Sequence, residues 1–289
     1  MTRYCFLTFD VEEWFQVENF KSVISQSEWK DKKSTLEQNI NDILTLLEKH
    51  SIKSTFFILG WVAEKNPDLI KKIHKAGHEV ASHGYAHERV NLGRETEVVY
   101  DIKKSKSILE NIINVRVNGY RAPNFSVNDR ILDYIKDLGF IYDSSYNPFR
   151  LNPRYGKLEK LGNKVAFGCY KTVNGIFEIP LSCYDFSGIQ FPIAGGAYFR
   201  IIPFWIFRQI VKKKIKQEPV YNFYLHPWEF EPEQERVKNI RGDYRFRHYY
   251  GLRRTAKKFE KLIIYLKNQN SEFLTIGDFI ERLPKRQKG

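Results

Sequence analysis

Two histidines four residues apart, His83 and His87, follow directly after a short apolar run. Imidazole nitrogens are common ligands of zinc and related divalent cations, and this spacing lets both rings reach one ion. A bare His-x-x-x-His pair is a weak signal, because both histidines can equally be surface or core residues that are hydrogen-bonded locally. The pair therefore predicts a metal site only if a further ligand lies near it.

Three acidic residues, Asp10, Glu12 and Glu13, follow the first apolar run of the chain. Ionised acids have no structural reason to cluster beside Trp14 and Phe15, and a bound cation would offset their mutual repulsion. Two histidines and one carboxylate leave coordination positions open for water and substrate, as a catalytic metal site requires. For Glu12 and Glu13 the alternative is a pair of acids at a helix start, where the helix dipole favours negative charge.

The candidate residues lie at the ends of short apolar runs that are typical of strands. The runs are Tyr4–Phe9, Glu79–Ala81, Val117–Tyr120 and Val220–Leu225. If these strands are parallel, their carboxyl ends meet on one rim of a sheet, where α/β enzymes place their chemistry. The sequence therefore predicts one shared rim for the polar residues that follow these runs, which are Asp10, His83 with His87, Arg121 and His226.

Helical patterns alternate with the strands, which indicates repeated β-α units. Helix starts are predicted at Ser34-x-x-Glu37, Asn66-Pro67 and Ser126-x-x-Asp129. Gly77 and Gly139 predict helix ends, because glycine readily adopts the left-handed conformation that stops a helix. Further strands are predicted over 52–59 and 176–180, and the stretch from 143 to about 175 is expected to be irregular or to hold a small hairpin.

The composition favours an enzyme with one large core. The chain has 289 residues, of which 42% are hydrophobic, and this is enough for an undivided α/β barrel. No apolar run reaches the length of a membrane span, and the N-terminus has no signal-peptide pattern. The three cysteines form no paired spacing, which fits a reducing compartment. We therefore expect a cytoplasmic protein.

The formal net charge is +13, and positive residues are dense in Arg208–Lys216 and Arg236–Lys261. No zinc-finger spacing, aromatic RNA-binding signature or basic heptad region accompanies this charge, so we expect no nucleic-acid partner. The basic residues are interpreted first as a solvated surface. The alternative is weak attraction to an anionic membrane surface or to a phosphate-bearing substrate.

Four motifs stand in a characteristic order along most of the chain. They are Thr8-Phe9-Asp10, Ser82-His83-Gly84-Tyr85-Ala86-His87, Arg121-Ala122-Pro123-Asn124-Phe125 and Leu225-His226-Pro227-Trp228. In order and spacing they resemble the polysaccharide deacetylases, the NodB-like carbohydrate esterase family 4. The resemblance implies an α/β fold, a distorted (β/α)7-type barrel in a single domain over residues 1–289. The C-terminal part, from about residue 195, is similar to the branch found with bacterial exopolysaccharide and surface-glycan synthesis genes.

The resemblance also implies a divalent metal, usually zinc, held by the histidine pair and a carboxylate, with Asp10 as general base. The common family pattern has two adjacent aspartates, base and then ligand, whereas Val11 follows Asp10 here. The carboxylate ligand is therefore expected at Glu12, as in family members with an acid-x-acid pattern. Glu13 stays an alternative.

Two proton-transfer roles follow from the same resemblance. His226 matches the general acid that protonates the leaving amine, and Arg121 matches the residue that orients Asp10 and holds it ionised. Asp143 is expected to orient His226. The alternatives are a structural ion pair for Arg121 and a hydrogen-bonded turn histidine for His226.

Substrate contacts are expected around the same rim. The aromatic side chains of Trp14, Tyr85 and Trp228 flank the proposed site and are candidates for stacking on sugar rings, with packing of the barrel rim as the alternative. A backbone N–H near Asn124 or Phe125 is expected to stabilise the oxyanion that develops when an amide is attacked.

The sequence thus predicts a zinc-dependent hydrolase that removes an N-acetyl group from a sugar in a glycan or glycan precursor and releases acetate. Inside a cell, a lipid-linked intermediate at the inner membrane face would suit the basic surface. Alternatives are a non-catalytic carbohydrate-binding barrel and a glycosidase that uses Asp10, Glu12, Glu13 or Glu229. A non-haem iron oxygenase is disfavoured by the β-α alternation and by the Arg121 and His226 motifs.

Overall fold

A mostly parallel β-sheet forms the centre of the molecule. The computed structural model describes residues 2–149, 152–159 and 161–283. Its strands are β1 (Arg3–Val11), β2 (Thr55–Ile58), β3 (Glu79–Ser82), β4 (Gly119–Tyr120), β5 (Tyr142–Asp143), β6 (Asn163–Ala166), β7 (Cys169–Lys171), β8 (Phe177–Glu178), β9 (Cys183–Phe186), β10 (Ile189–Pro192), β11 (Val220–Leu225) and β12 (Ser271–Phe273). The strands predicted over 4–9, 79–81 and 220–225 are confirmed, and those over 52–59, 117–120 and 176–180 are shorter than predicted.

The parallel strands lie in the order β11-β1-β2-β3-β4-β5-β8 and curl into an incomplete barrel. The ends of this row meet beyond β8, where the Ser182 N–H donates to the Asn222 carbonyl oxygen of β11 at 3.2 Å. Nδ2 of Asn222 also donates to the carbonyl oxygen of Ile179 at 3.1 Å. Isolated contacts replace a regular ladder at this seam, so the barrel is distorted. The described residues confirm the predicted (β/α)7-type barrel.

Five further short strands of the described chain lie outside this parallel row, and β12 is the one among them that pairs in parallel. β7 and β6 follow β8 as a hairpin, β12 pairs with the start of β1, and β9 with β10 forms a separate hairpin. The hairpin of β6 and β7 confirms the prediction for 143–175, of which residues 150, 151 and 160 lie outside the described part. The β9–β10 hairpin was not predicted, although apolar residues alternate on both sides of the Ser187-Gly188 turn.

Helices connect the strands and cover the sheet. They are α1 (Leu36–Lys49), α2 (Gly60–Lys65), α3 (Pro67–Lys75), α4 (Glu95–Ile113), α5 (Asp129–Asp137), α6 (Gly196–Ile201), α7 (Phe204–Gln217), α8 (Gly242–Tyr249), α9 (Thr255–Lys267) and α10 (Ile276–Glu281). In α1 the apolar residues recur every three to four positions, so Ile40, Ile43 and Leu47 are fully buried. Phe9 of β1 stacks on Phe56 of β2 in the core that these helices cover.

Two predicted capping boxes are wrong. α1 begins at Leu36, and Ser34 only accepts a 3.3 Å hydrogen bond from its N–H. α5 begins at Asp129 and is capped by Asn128, whose Oδ1 accepts from the Ile131 N–H at 3.0 Å. Ser126 is instead buried and donates to the carbonyl oxygen of Pro123. The same hydroxyl accepts a hydrogen bond from the Val90 N–H. The sequence does not show this tertiary contact, and its local pattern therefore predicts a cap.

The strand register places the predicted chemistry on one rim. Phe9 of β1 pairs with Leu225 of β11, and Ile58 of β2 pairs with Ser82 of β3. Ser82 pairs in turn with Tyr120 of β4. Because these strands are parallel, the residue after each paired position lies at the same edge of the sheet. The polar residues after these positions, Asp10, His83, Arg121 and His226, therefore lie at one edge.

The described helices include none with the length and apolarity that crossing a bilayer would require. All three cysteines, Cys5, Cys169 and Cys183, are buried with free thiols. They therefore contribute packing and no covalent cross-link, in agreement with the absence of paired spacing.

Gly195, just before α6, packs closely against the backbone of β11 at Tyr224. Gly195 has φ of 136°, and a Cβ at this position would lie 1.8 Å from the carbonyl oxygen of Tyr224. We expect Gly195→Ala to lower the free energy of unfolding by about 3 kcal/mol, measured by urea denaturation. Gly139→Ala is the matched control, since its φ is also positive but nothing lies within 4 Å. A control loss of about 1 kcal/mol is expected, and equal losses would show that the contact is unimportant.

Candidate functional site

Three buried side chains converge at the rim. Glu12 follows β1, and His83 and His87 follow β3, with one ligand atom of each lying within 4.8 Å of the others. Local structure holds the histidines in place. Nδ1 of His83 donates to the carbonyl oxygen of Arg121 at 2.8 Å, which leaves Nε2 available as a ligand. The loop between the histidines is fixed by the Asp101 carboxylate, which accepts hydrogen bonds from two of its backbone N–H groups.

The charges of this cluster fit a divalent cation. Oε2 of Glu12 is buried and lies 2.6 Å from Nε2 of His87, yet it has no partner in hydrogen-bond geometry. Burial opposes ionisation of Glu12, but the charges of His87 and His226 outweigh it and lower the pKa to about 2. Burial lowers the pKa of His83 to about 4, so this ring is neutral at neutral pH. Burial opposes protonation of His87, but the Glu12 carboxylate outweighs it and raises the pKa of His87. Zinc and similar metals bind carboxylates and neutral imidazoles, so a cation at this cluster would displace a proton from His87.

Glu13 faces away from this cluster. Its carboxyl group is hydrogen-bonded to the Ser34 side chain and the Thr35 backbone, at the start of α1. Burial among these groups raises the pKa of Glu13 to about 7. Of the two glutamates that the sequence leaves open as ligands, the structure therefore brings Glu12 to the histidines.

Asp10 and Arg121 form a buried ion pair beside the cluster. Nη1 of Arg121 lies 2.6 Å from Oδ1 of Asp10 and also donates to the Thr8 hydroxyl at 2.8 Å. The other side of the guanidinium donates to the backbone and side-chain oxygens of Ser144, both at 2.9 Å. Because the hydrogen bonds to Thr8 and Ser144 hold the guanidinium in place, its contact with Asp10 fixes the orientation of that carboxylate.

His226, at the end of β11, approaches the Glu12 carboxylate of the cluster. Its Nε2 is 3.6 Å from Oε1 of Glu12. Burial opposes protonation of His226, but Glu12 and Glu229 outweigh it and raise the pKa to about 9. The ring stacks on Trp228, with 5.1 Å between the ring centroids, and Trp228 stacks in turn on His248. His226 is therefore held as a protonated imidazole next to the cluster.

The predicted contact between Asp143 and His226 is not formed. Oδ1 of Asp143 accepts from the Ser145 hydroxyl at 2.7 Å, and its carboxyl group shares a buried environment with Glu178. Nδ1 of His226 instead lies 2.8 Å from Oε1 of Glu229. Glu229 takes this place because it lies one 3-10 turn after His226, and a salt bridge with buried Arg200 holds its other oxygen.

The loop after β4 carries two consecutive residues with left-handed backbones, Asn124 and Phe125, with φ near 55°. The Phe125 N–H already donates to the Ala122 carbonyl oxygen at 2.9 Å. Of the two predicted oxyanion donors, the Asn124 N–H is therefore the candidate. Nδ2 of Asn124 donates to the Glu18 carboxylate at 3.4 Å, which fixes this side chain over the cleft.

A cleft opens at the cluster. Some of the residues predicted to contact the substrate line this cleft, and others do not. Asn124, Phe125 and Trp228 line it. Trp14 does not, because it is 1% exposed and packs with Phe15 and Phe20. Tyr85 lines a neighbouring groove, where its hydroxyl donates to Glu64 and the ammonium group of Lys104 lies 3.4 Å from its ring centroid. Trp14 therefore has the rim-packing role that was the alternative to stacking, and Tyr85 lies outside the lining of this cleft.

Sequence reasoning missed the role of two charged residues. From the sequence, Glu229 is predicted only as a possible glycosidase acid, although a carboxylate three residues after His226 is the spacing of a capping box. Arg200 gives no local signal. Its guanidinium donates to Glu229 and to three backbone carbonyl oxygens, those of Arg247, His248 and Tyr250. No spacing rule connects these positions, which meet only in the folded chain.

Two family models match the chain in succession. Residues 3–142 match "Polysaccharide deacetylase", and residues 144–281 match "Domain of unknown function (DUF3473)". The barrel crosses this division, because β1 to β5 lie in the first segment and β8 and β11 lie in the second. Asp10, Glu12 and the histidine pair come from the first segment, and His226 comes from the second.

A curated relative supports the match of the first segment. The chain is 31% identical over 99 residues to a peptidoglycan-N-acetylglucosamine deacetylase from Bacillus cereus (strain ATCC 14579), which covers 34% of this chain and 36% of that protein. The chain spans less than half of the length of the first curated relatives that it matches. The similarity therefore concerns one segment of the relatives.

Solved structures share the fold over nearly the whole chain. A polysaccharide deacetylase candidate from Mycobacterium smegmatis superposes with a TM-score of 0.61 at 17% identity and covers 98% of this chain and 91% of that one. A family 4 carbohydrate esterase pseudoenzyme from Bacillus anthracis gives 0.54 at 16% identity, with 96% and 65% covered. Because a pseudoenzyme shares this barrel, the fold leaves the chemistry to the side chains of the site.

The adjacent glutamates provide a matched test of the metal site. We expect Glu12→Gln to weaken zinc binding at least about 100-fold, because it removes the anionic ligand. Glu13→Gln should leave zinc binding unchanged, since Glu13 faces α1. Both affinities are measured by titration calorimetry on chelator-treated protein, and the bound metal is counted by elemental analysis. Equal zinc affinity of the two variants would contradict the assignment of Glu12.

Proposed function

We propose that this chain, whose residues 3–142 match the polysaccharide deacetylase family model, is a metal-dependent hydrolase that removes the acetyl group from an N-acetylated sugar. The observation that carries the proposal is the convergence of three functional units in one cleft. These are the metal-ligand cluster of Glu12, His83 and His87, the Asp10–Arg121 pair, and the His226–Glu229 pair. The pairing of a proton acceptor with a proton donor at a metal site is what amide hydrolysis requires.

The amide bond is cleaved by water, and the products are acetate and the free amine of the sugar. A divalent cation held by Glu12, His83 and His87, zinc being the usual choice for such ligands, would supply Lewis-acid polarisation of the acetamide carbonyl and acidify water. Asp10 accepts the proton from the attacking water. Arg121 orients Asp10 through the 2.6 Å contact.

The leaving nitrogen needs a proton before its bond to carbon breaks. Nδ1 of His226 is occupied by Glu229, so the transferable proton lies on Nε2, which faces the cluster. The Asn124 N–H stabilises the oxyanion that develops on the carbonyl oxygen. Asp10 and His226 thus act as base and acid in one cleft, and Trp228 stacks behind His226 to hold the ring in place.

The alternatives predict other products. A glycosidase needs two catalytic acids on either side of the scissile bond, but Asp10 is engaged by Arg121, Glu13 faces α1 and Glu229 is bound by Arg200. A non-catalytic barrel, such as the Bacillus anthracis pseudoenzyme, needs no complete set of acid, base and metal ligands. The side chains of the cleft therefore favour hydrolysis of the N-acetyl group.

Two histidines at opposite ends of β3 provide the test of activity. We expect the wild-type protein with zinc to release acetate from N-acetylglucosamine oligomers and a chelator to stop the release. His83→Asn should reduce the rate at least about 100-fold by removing a metal ligand. His78→Asn should retain the rate, because Nδ1 of His78 only accepts a hydrogen bond from the Ser54 N–H. Unchanged acetate release by His83→Asn would contradict the metal mechanism, and reducing sugar released without acetate would indicate a glycosidase.

We further propose that the protein contacts an anionic membrane surface, where glycan precursors can be presented. Support comes from the exposed side of α7, with Arg208, Lys212 and Lys216 one turn apart and Trp205 68% exposed at its start. The β9–β10 hairpin packs near the end of α7 and exposes one apolar face. Basic residues beside exposed aromatic side chains are typical of peripheral membrane contacts.

Vesicle sedimentation tests this contact. We expect the protein to bind vesicles that contain phosphatidylserine more than neutral phosphatidylcholine vesicles, and high salt to reduce the binding. Lys212→Gln combined with Lys216→Gln should weaken the binding several-fold. Lys71→Gln combined with Lys75→Gln on α3 is the control with the same loss of charge. Equal effects of both pairs would indicate only a general response to net charge.

A further inference from the structure

The cleft contains two arginines, Arg154 and Arg247, that the reaction above does not use. Both are half-buried, and both side chains carry a permanent positive charge. Among the described residues, neither has a carboxylate oxygen within 4.0 Å. The two guanidinium groups therefore add positive charge to the cleft that no described ion pair balances.

Most other charges around the cleft have partners. Asp10 is paired with Arg121 and Glu229 with Arg200, and Glu12 lies among the histidines. Glu18 is the one lining carboxylate outside the described ion pairs, and it accepts a hydrogen bond from Asn124 at 3.4 Å. Two guanidinium groups therefore face one unpaired carboxylate, and the part of the lining outside the catalytic pairs keeps an excess of positive charge.

Neutral groups hold Arg154 in position. Its Nη1 donates to Oδ1 of Asn19 at 3.0 Å, and its guanidinium lies 4.8 Å from the ring centroid of Tyr244. An amide and an aromatic ring orient a guanidinium without neutralising it. The single hydrogen bond uses one of the five N–H groups of the side chain. Arg154 is therefore oriented and retains donors for a ligand.

Arg247 is positioned by the residue that also supports the general acid. Arg200 donates to the backbone carbonyl oxygen of Arg247 at 2.7 Å and to the carboxylate of Glu229, which binds His226. The guanidinium of Arg247 lies 5.7 Å from the ring centroid of Tyr198. This connection fixes the backbone of Arg247 relative to the His226–Glu229 pair, and the Arg247 side chain lines the same cleft.

We propose that Arg154 and Arg247 form an oxyanion-binding subsite and that the substrate carries a carboxylate or phosphate group near its acetamido sugar. This inference rests on the proposed deacetylase function. Arginine presents paired N–H groups that match the oxygens of a carboxylate or a phosphate, and a partly buried site strengthens the interaction. A neutral sugar in the cleft would offer neither guanidinium group an anionic partner. The preferred substrate is therefore an anionic N-acetyl sugar rather than a neutral one.

Sugars that lack an acetamide group test binding without turnover. We expect glucose 1-phosphate or glucuronic acid to bind the wild-type, zinc-loaded protein about 10-fold or more tightly than glucose, measured by ligand-observed NMR titration. The phosphate and carboxylate compounds distinguish the two sources of an anion. Titration in the presence of high salt should reduce the difference, because part of it is electrostatic.

Arginine variants assign the preference to the subsite. Arg154→Gln and Arg247→Gln should each remove most of the gain from the anionic group and leave the affinity for glucose unchanged. Arg245→Gln, on an exposed position of α8, is the matched control and should keep the preference. Equal affinities for glucose and both anionic sugars, or a preference that survives both variants, would overturn the subsite.

The same measurements separate this inference from the proposed function. A preference lost in Arg154→Gln and Arg247→Gln supports the subsite even if no substrate releases acetate. Acetate release together with equal affinity for neutral and anionic sugars would overturn the subsite and leave deacetylation in place. In steady-state assays, N-acetylglucosamine 1-phosphate should have a lower KM than N-acetylglucosamine, and the arginine variants should raise that KM while kcat changes little.

Discussion

The catalytic side of the cleft depends on the buried ion pair between the Arg121 guanidinium and Asp10. A charge with no solvent exposure is costly unless it is paired and fully hydrogen-bonded. Here Asp10 neutralises it, and Thr8 and Ser144 accept three further hydrogen bonds from it. The backbone carbonyl of the same residue accepts from His83. One residue thus fixes both the proposed base and a candidate metal ligand, so a change at this point would disturb two functions together.

Arg200 has the corresponding place on the other side of the cleft. It is buried, it pairs with Glu229, and it binds three backbone carbonyl oxygens at the end of α8. The segment that matches the domain of unknown function therefore does more than complete the barrel. It supplies His226, the carboxylate that orients this ring, and Arg247. The proposed acid and the proposed anion contact are held by one guanidinium, whereas the metal ligands come from the other segment.

The sequence predicted the rim well and the orientation of side chains poorly. Apolar runs located β1, β3 and β11, because buried parallel strands need continuous apolar residues. The apolar runs could not decide between Glu12 and Glu13. Side chains alternate in direction along a strand, but both glutamates lie beyond the end of β1, where this rule no longer applies. The roles predicted for Ser126 and Trp14 differ from the observed ones for a related reason. The Ser126 hydroxyl accepts from the Val90 N–H, and the Trp14 indole donates to the Lys33 carbonyl oxygen, so both groups are used by distant parts of the chain.

The sequence alone determined the alternation of strands and helices, the histidine pair, and the positions of Asp10, Arg121 and His226 at strand ends. These properties depend on residue type and short-range spacing, which the chain carries locally. Only the tertiary structure decided that Glu229 rather than Asp143 orients His226, that Glu12 joins the histidines, and that Arg154 and Arg247 share the cleft. Such contacts join residues far apart in the chain, and their energies depend on burial and on which partner charges the fold brings within a few ångströms.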